Sequence, residues 1–192
     1  MRILGINCLN HDAAVSVIDN GKIVFAAHSE RYSREKNDMY LNNSIIQEAL
    51  SYGEPDKIAY YERPWIKKTR QLYAGQYKEV FNLNNLPSKY LKSWISDKKI
   101  NYIDHHLSHA AAGYYTSPYQ EAAILVIDGI GEWDVLTIWH GKGKDIKKIH
   151  SIKYPHSLGL FYSAATQAID LKPCEEEYIL MGMSGWGKDK HW

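Results

Sequence analysis

The beginning of the chain alternates short apolar runs with polar turns. Residues 2–7 form one apolar run, and residues 13–18 and 22–27 form two more on either side of Asp19-Asn20-Gly21. Asn and Gly accept positive φ, so this tripeptide is a strong hairpin signal. The pattern predicts that the chain starts with a three-stranded meander.

A stretch of mixed pattern follows the meander. Gly53 closes a run with helical spacing, and Pro87 interrupts an aromatic-rich segment that has no single period. The pattern predicts a helix over residues 44–52 and a buried strand over 57–61. Broken helical segments over 64–94 and another strand over 100–103 follow. A helix opening at the histidine-rich run would then extend to about Tyr115, because Pro118 ends it.

The second half of the chain repeats the opening pattern. Apolar runs and polar turns predict three strands, over residues 122–127, 132–139 and 146–152. Two helices are predicted after them, over 157–169 and 175–183. Ser157 is the expected N-cap of the first of these helices. Two meanders in one chain suggest an α/β protein with a duplicated architecture, although any α+β protein can carry two hairpins.

Composition narrows the class of protein. With 192 residues the chain can form one sizeable domain or two small lobes. The chain has 23 Lys and Arg residues and 22 Asp and Glu residues. Its net charge is therefore too small to produce an electrostatic field that attracts nucleic acid or an anionic membrane. Cys8 and Cys174 are far apart in sequence, which suits a reducing compartment, and no apolar run reaches the length of a membrane span. We therefore expect a cytoplasmic location.

Three histidines and an aspartate crowd one short run of the sequence. If a helix begins there, His105 and His109 lie one turn apart on the same face, and Asp128 can supply a carboxylate third ligand to a metal ion. Two imidazoles and a carboxylate suit a divalent transition metal such as zinc or manganese. The alternative is a histidine cluster that serves only as a surface or capping feature.

Two further polar segments could carry chemistry. His11 follows the first predicted strand, where an imidazole can act as a general base, although a turn histidine often just bonds to the backbone. The cationic run 30–36 leaves the third strand and includes Lys36. Such a run is either a solvated edge or a contact to phosphate oxygens.

Taken together, these segments resemble the O-carbamoyltransferases of the nodulation-protein and antibiotic-tailoring type. That family belongs to the actin-like ATPase superfamily and is related to the tRNA threonylcarbamoyl-transfer enzymes. Matching stretches occur in order along the chain, at residues 4–7 with 11–12, 30–36, 105–111, 128–133, 157–163 and 177–182.

The resemblance implies a fold and a domain organisation. It implies a first actin-like, ribonuclease H-like lobe over residues 1–118 and part of a second, duplicated lobe over 119–192. We expect a C-terminal domain that processes carbamoyl phosphate to be absent, and a complementing second polypeptide to supply the missing half. Ile179 stands where the family usually has Lys, and Asn10 stands where it usually has a small residue.

The resemblance also implies a reaction. Family members use carbamoyl phosphate and ATP to make carbamoyl adenylate and transfer the carbamoyl group to a hydroxyl of a sugar-like acceptor. It assigns His105, His109 and Asp128 as metal ligands, foremost for iron(II). The alternatives are a non-catalytic, truncated module that binds metal or nucleotide, and an ATPase of the same superfamily.

The remaining roles also come from the resemblance. His11 would be the general base for the acceptor, and Lys36 would contact the adenylate. Gly129 and Gly131 would belong to the loop that binds the nucleotide cofactor.

Overall fold

The computed structural model describes residues 1–95 and 99–188. The chain divides into two compact units, Met1–Ser108 and His109–Trp192. The predicted second lobe ends in residues 189–192, which lie outside the described part of the chain.

A five-stranded mixed sheet forms the first unit, with strand order β3-β2-β1-β4-β5. The strands are β1 (Arg2–Asn7), β2 (Ala14–Asp19), β3 (Lys22–His28), β4 (Lys57–Tyr60) and β5 (Ile100–Tyr102). β1 to β3 are antiparallel, whereas β4 runs parallel to both β1 and β5. The predicted meander is confirmed, and the turn between β2 and β3 has φ of 50° at Asn20 and 83° at Gly21.

Five helices lie wholly within the described residues of the first unit. They are α1 (Glu30–Ser33), α2 (Asn43–Ser51), α3 (Pro64–Tyr73), α4 (Tyr77–Phe81) and α5 (Pro87–Tyr90), with 3₁₀ turns at Leu83–Asn85 and Leu91–Ser93. Pro64 and Pro87 each start a helix, where their missing N–H costs nothing. The side chain of Asn42 caps α2 by accepting from the Ile45 N–H.

The hydrophobic core of the first unit lies between one face of the sheet and α2. Alternate residues of the strands point to this face, so that one apolar set is buried. The set comprises Leu4, Ile6, Val15, Val17, Ile58 and Tyr60 from the sheet with Ile45, Ile46 and Ala49 from α2. The period of two in the sequence therefore fixes which face the helix covers.

Helix α6 (His105–Tyr115) carries the histidine run, and a three-stranded antiparallel sheet follows it. The second unit contains β6 (Glu121–Gly131), β7 (Asp134–Lys142), β8 (Asp145–Lys153), α7 (Leu158–Ala168) and α8 (Glu177–Ser184). The sheet of β6, β7 and β8 confirms the second predicted meander. The predicted N-cap is also confirmed, since Ser157 Oγ accepts from the Leu160 N–H at 3.1 Å.

One boundary in the second meander is wrong in the sequence-based prediction. The sequence suggests a turn over residues 128–132, but β6 continues to Gly131 and the turn lies at Glu132–Trp133. Pairing with β7 is irregular between Ile127 and Gly131, so the strand extends through a glycine-rich segment that has the composition of a loop.

No helix within residues 1–95 and 99–188 is both long and apolar enough to cross a bilayer.

Candidate functional site

The first turn of α6 is held by several side-chain hydrogen bonds. Asp104 caps the helix by accepting from the Leu107 N–H at 2.9 Å, and its other carboxylate oxygen lies 2.8 Å from the Arg63 guanidinium. Ser108 Oγ donates to the Tyr61 carbonyl at 2.9 Å. The segment that follows β4 therefore fixes where the histidine helix begins.

His105 and His109 lie one turn apart on α6, as their spacing predicts. A ring nitrogen of His105 and one of His109 lie within 4.8 Å of each other. His105 is buried, with 9 % of its side chain exposed, whereas His109 is exposed. Two imidazoles on one helix face can converge on a single ion.

Asp128 lies near the end of β6, where the second unit fixes its position. One of its carboxylate oxygens and a ring nitrogen of His109 lie within 4.8 Å of each other. Asp128 Oδ1 accepts from the Gly129 N–H at 2.6 Å. The backbone of this segment is held in turn by α7, because Ser157 Oγ donates to the Gly129 carbonyl at 2.7 Å.

Gly159, in the first turn of α7, allows this helix to approach the segment that carries Asp128. A Cβ built on Gly159 would lie 2.7 Å from the Asp128 carbonyl oxygen and 2.8 Å from the Gly129 Cα. Both atoms belong to the backbone, so no side chain can rotate away. In the Ser-Leu-Gly sequence at 157–159, the serine therefore caps α7 and the glycine lets α7 approach the segment that carries Asp128.

Glu62 is a buried residue beside His105 that the sequence pattern did not single out. Its Oε1 lies 2.9 Å from Lys67 Nζ, and its Oε2 lies 3.7 Å from His105 Nδ1. Burial alone would raise the pKa of the Glu62 carboxyl, but His105 and Lys67 outweigh burial and hold that pKa below its ordinary value. A lone glutamate after a strand is too common in sequences to attract notice.

His11 and Lys36 lie in loops of the first unit. His11 Nδ1 is 2.8 Å from a carboxylate oxygen of Asp12, and 70 % of the His11 side chain is exposed. Lys36 follows α1 and is exposed. The catalytic role of His11 and the adenylate contact of Lys36 stay predictions.

Gly129 and Gly131 belong to the last residues of β6 rather than to a free loop. The N–H of Gly129 is engaged by Asp128 Oδ1, and a Cβ on Gly129 would meet no atom within 4 Å. Gly131 is buried where the strand meets the turn, and Glu132 beyond it has φ of 59°. Their proposed contact with a nucleotide stays a prediction.

Similarity to known proteins covers almost the whole chain. The family model described as "Carbamoyltransferase N-terminus" matches residues 2–191. The Synechocystis protein sll1178 is 33 % identical over 98 % of this chain and 35 % of its own length. Nodulation protein NolNO of Sinorhizobium fredii is 26 % identical over 94 % of this chain and 28 % of its own length.

A third relative and one solved structure are also similar to the chain. Protein MJ1051 of Methanocaldococcus jannaschii is 29 % identical over 97 % of this chain and 34 % of its own length. A PPX-GPPA enzyme structure from Aquifex aeolicus has a TM-score of 0.42 and 15 % identity, over 98 % of this chain and 64 % of that chain. That level of similarity does not define a common fold.

The chain spans about a third of the length of the curated relatives it matches. The family match, by contrast, runs from residue 2 to residue 191. The resemblance found in the sequence is therefore confirmed, and the chain belongs to the carbamoyltransferase N-terminus family.

Proposed function

We propose that this chain is the N-terminal part of an O-carbamoyltransferase that transfers a carbamoyl group from carbamoyl adenylate to a hydroxyl of a sugar-like acceptor. The adenylate would be made from carbamoyl phosphate and ATP. The observation that carries the proposal is the family match over residues 2–191. The mixed sheet of the first unit and the second meander support an actin-like lobe followed by the start of a duplicated one.

We also propose that His105, His109 and Asp128 bind a divalent metal ion. The donor set fits, because two imidazole nitrogens and a carboxylate oxygen suit iron(II), zinc or manganese. A bound ion would offset negative charge on the phosphate of the adenylate. The chain's own contribution is to hold the ligands, through the Asp104 cap for His105 and His109 and through Ser157 for the backbone beside Asp128.

His11 is the proposed base of the transfer step. If Asp12 accepts the Nδ1 proton across their 2.8 Å contact, His11 Nε2 is left as the acceptor. The acceptor oxygen then bonds to the carbamoyl carbon while its proton passes to His11 Nε2. The bond from that carbon to the adenylate oxygen breaks, and AMP leaves with the electron pair.

Lys36 and the glycines have supporting roles in this proposal. The Lys36 ammonium would pair with phosphate oxygens of the adenylate. Gly129 would contribute open space rather than its N–H, because that N–H already donates to Asp128.

A second polypeptide is the proposed partner of this chain. Two apolar residues of β6, Leu125 and Ile127, are 60 % and 50 % exposed, and β6 lies at the edge of its sheet. Exposed apolar surface on an edge strand is typical of an interaction site. We expect the covering chain to supply the region that lies beyond the match in the longer relatives.

Metal analysis tests the proposed ligands. After anaerobic loading with iron(II) and desalting, we expect stoichiometric iron in the wild type and a loss of at least about 100-fold in affinity in the His105→Ala, His109→Ala double variant. His150→Ala removes an exposed histidine of β8 and should retain iron. Equal, negligible iron in the wild type and the double variant would contradict the metal site and favour a non-catalytic module.

Product analysis tests the chemistry. With ATP and carbamoyl phosphate, the isolated chain should release no pyrophosphate. A mixture with the C-terminal region of the Synechocystis relative, once sedimentation shows a complex, should release it. His11→Ala should reduce carbamate ester formation by about 10² to 10⁴-fold while pyrophosphate release continues.

Three outcomes would contradict parts of this scheme. Strong pyrophosphate release by the isolated chain removes the need for a partner. ATP turnover that ignores carbamoyl phosphate indicates an ATPase instead of a carbamoyltransferase. Unchanged ester formation in His11→Ala excludes His11 as the base.

A further inference from the structure

The side chain of Glu62 lies on the Nδ1 side of the His105 imidazole. We infer that Glu62 is a positioning residue, which orients the His105 ring so that Nε2 is presented to the metal. This inference rests on the metal role proposed above for His105. Nothing in the sequence resemblance assigns a role to Glu62.

Both oxygens of the Glu62 carboxylate face a basic side chain in the first unit. Oε1 lies 2.9 Å from Lys67 Nζ, and Oε2 lies 3.7 Å from His105 Nδ1. Because Nδ1 and Nε2 are on opposite sides of the ring, a carboxylate at Nδ1 leaves Nε2 for a ligand bond. A carboxylate behind a metal-binding histidine fixes its tautomer and orientation and increases its basicity.

Burial argues against a purely structural Glu62–Lys67 pair. The Glu62 side chain is 6 % exposed, and the desolvation cost of burying a carboxylate often exceeds what one ion pair returns. The ion pair with Lys67 engages Oε1, and Oε2 faces the histidine. This carboxylate therefore faces a candidate metal ligand as well as its ion-pair partner.

The surroundings of Glu62 restrict the His105 ring further. The ring of Tyr61 lies 5.3 Å from that of His105 in an edge-on arrangement. Arg63, the next residue after Glu62, forms an ion pair with Asp104 at 2.8 Å. Three consecutive residues thus contact the start of α6, and Glu62 is the one whose carboxylate faces the imidazole.

Cobalt(II) titration of the full chain tests the inference. Co(II) is a spectroscopic stand-in for iron(II) or zinc, and its visible absorption reports the number and geometry of its ligands. Glu62→Gln should weaken Co(II) binding by about 10 to 100-fold and change the absorption of the bound ion. Glu48→Gln is the matched control, because Glu48 is an exposed glutamate that accepts from the Tyr32 hydroxyl.

Lys67→Met separates positioning from simple stability. Both Glu62→Gln and Lys67→Met disrupt the buried ion pair, so both lower the melting temperature if the pair is structural. Only Glu62→Gln should weaken Co(II) binding, while Lys67→Met keeps wild-type affinity within about threefold. Equal losses of affinity in both variants would overturn the positioning role.

A double-variant cycle identifies the residue through which Glu62 acts. In a His105→Ala background, Glu62→Gln should cost no further Co(II) affinity, because the histidine that it orients is gone. An additive loss would contradict the inference.

If wild type binds Co(II) no better than the His105→Ala, His109→Ala variant, the proposed metal site itself fails. If wild type binds and Glu62→Gln binds equally well, only the role of Glu62 fails.

Discussion

The first strand of each meander meets a different environment in the two units. β1 lies between β2 and β4 in its sheet, and its Leu4 and Ile6 are 1 % and 4 % exposed. β6 has a similarly apolar sequence, but it pairs with β7 alone among the described strands and leaves Leu125 60 % exposed. A nearly continuous apolar strand is typical of positions that are buried on both faces. β6 therefore has the sequence of an interior strand in the position of an edge strand.

Thiol reactivity offers the largest expected contrast, because each unit contains one cysteine. Burial is the main cause that raises the pKa of the Cys8 thiol from 9.0 to about 12. Cys174 is exposed. At pH 8 we expect Cys174 to react with a thiol reagent at least about a thousandfold faster than Cys8, since the thiolate is the reactive form.

The measurement is a time course of labelling followed by peptide mass spectrometry. Adding urea should expose Cys8 and bring the two rates together. Rapid labelling of Cys8 in the native protein would mean that the first unit opens readily, and the contrast between the units would then be lost.

Core truncation sharpens the same comparison. Ile45 on α2 is fully buried, so Ile45→Ala should destabilise the first unit by about 2 to 5 kcal/mol. Leu125→Ala removes a side chain that is mostly in solvent and should change stability by less than about 0.5 kcal/mol. Hydrogen exchange read separately on β1–β2 and β6–β8 peptides distinguishes the two units.

A complementing chain that covers β6 should change the expected result for Leu125→Ala. In the complex, Leu125→Ala should become costly because the side chain is then covered, and β6 amides should gain protection. A β6 strand that exchanges equally fast with and without the added chain would be inconsistent with an interface there.

How far the sequence predicts the fold depends on the range of the interactions involved. Asn20-Gly21 and Ser157 act through local backbone geometry, so their turn and cap could be located from the sequence alone. The segment 128–132 has the composition of a turn, yet pairing resumes between Gly131 and Asp134 of β7, so β6 extends to Gly131. Such pairing is a tertiary effect that no local propensity reveals.

In the candidate site, too, some contacts follow from local sequence spacing and others only from the tertiary fold. His105 and His109 are related by one helical turn, so their proximity follows from spacing. Glu62 lies 43 positions before His105, and only the fold brings its carboxylate to 3.7 Å from the imidazole. The approach of Gly159 to Asp128 is equally invisible in the sequence, because the two residues are far apart along the chain and only the packing of α7 on β6 brings them together.

A smaller effect than that of the core truncation concerns two glycines of the second unit. Gly159→Ala should destabilise the protein by about 1 to 3 kcal/mol, because its Cβ would lie 2.7 Å from the Asp128 carbonyl oxygen. Helix propensity alone would favour alanine by about 1 kcal/mol, so the clash must exceed that gain. Gly129→Ala is the matched control, since its Cβ would meet no atom within 4 Å.

The same two variants report on the position of Asp128. If the approach of α7 holds that segment in place, Gly159→Ala should also weaken Co(II) binding by several-fold, whereas Gly129→Ala should leave it near the wild-type value. A stabilised Gly159→Ala protein would mean that propensity outweighs the clash. A Gly159→Ala protein that is destabilised but binds Co(II) normally would separate the stability of the second unit from the geometry of its metal ligand. In the first unit the start of α6 is held by contacts with residues 61–63, whereas the segment that carries Asp128 also depends on the close backbone approach that Gly159 allows.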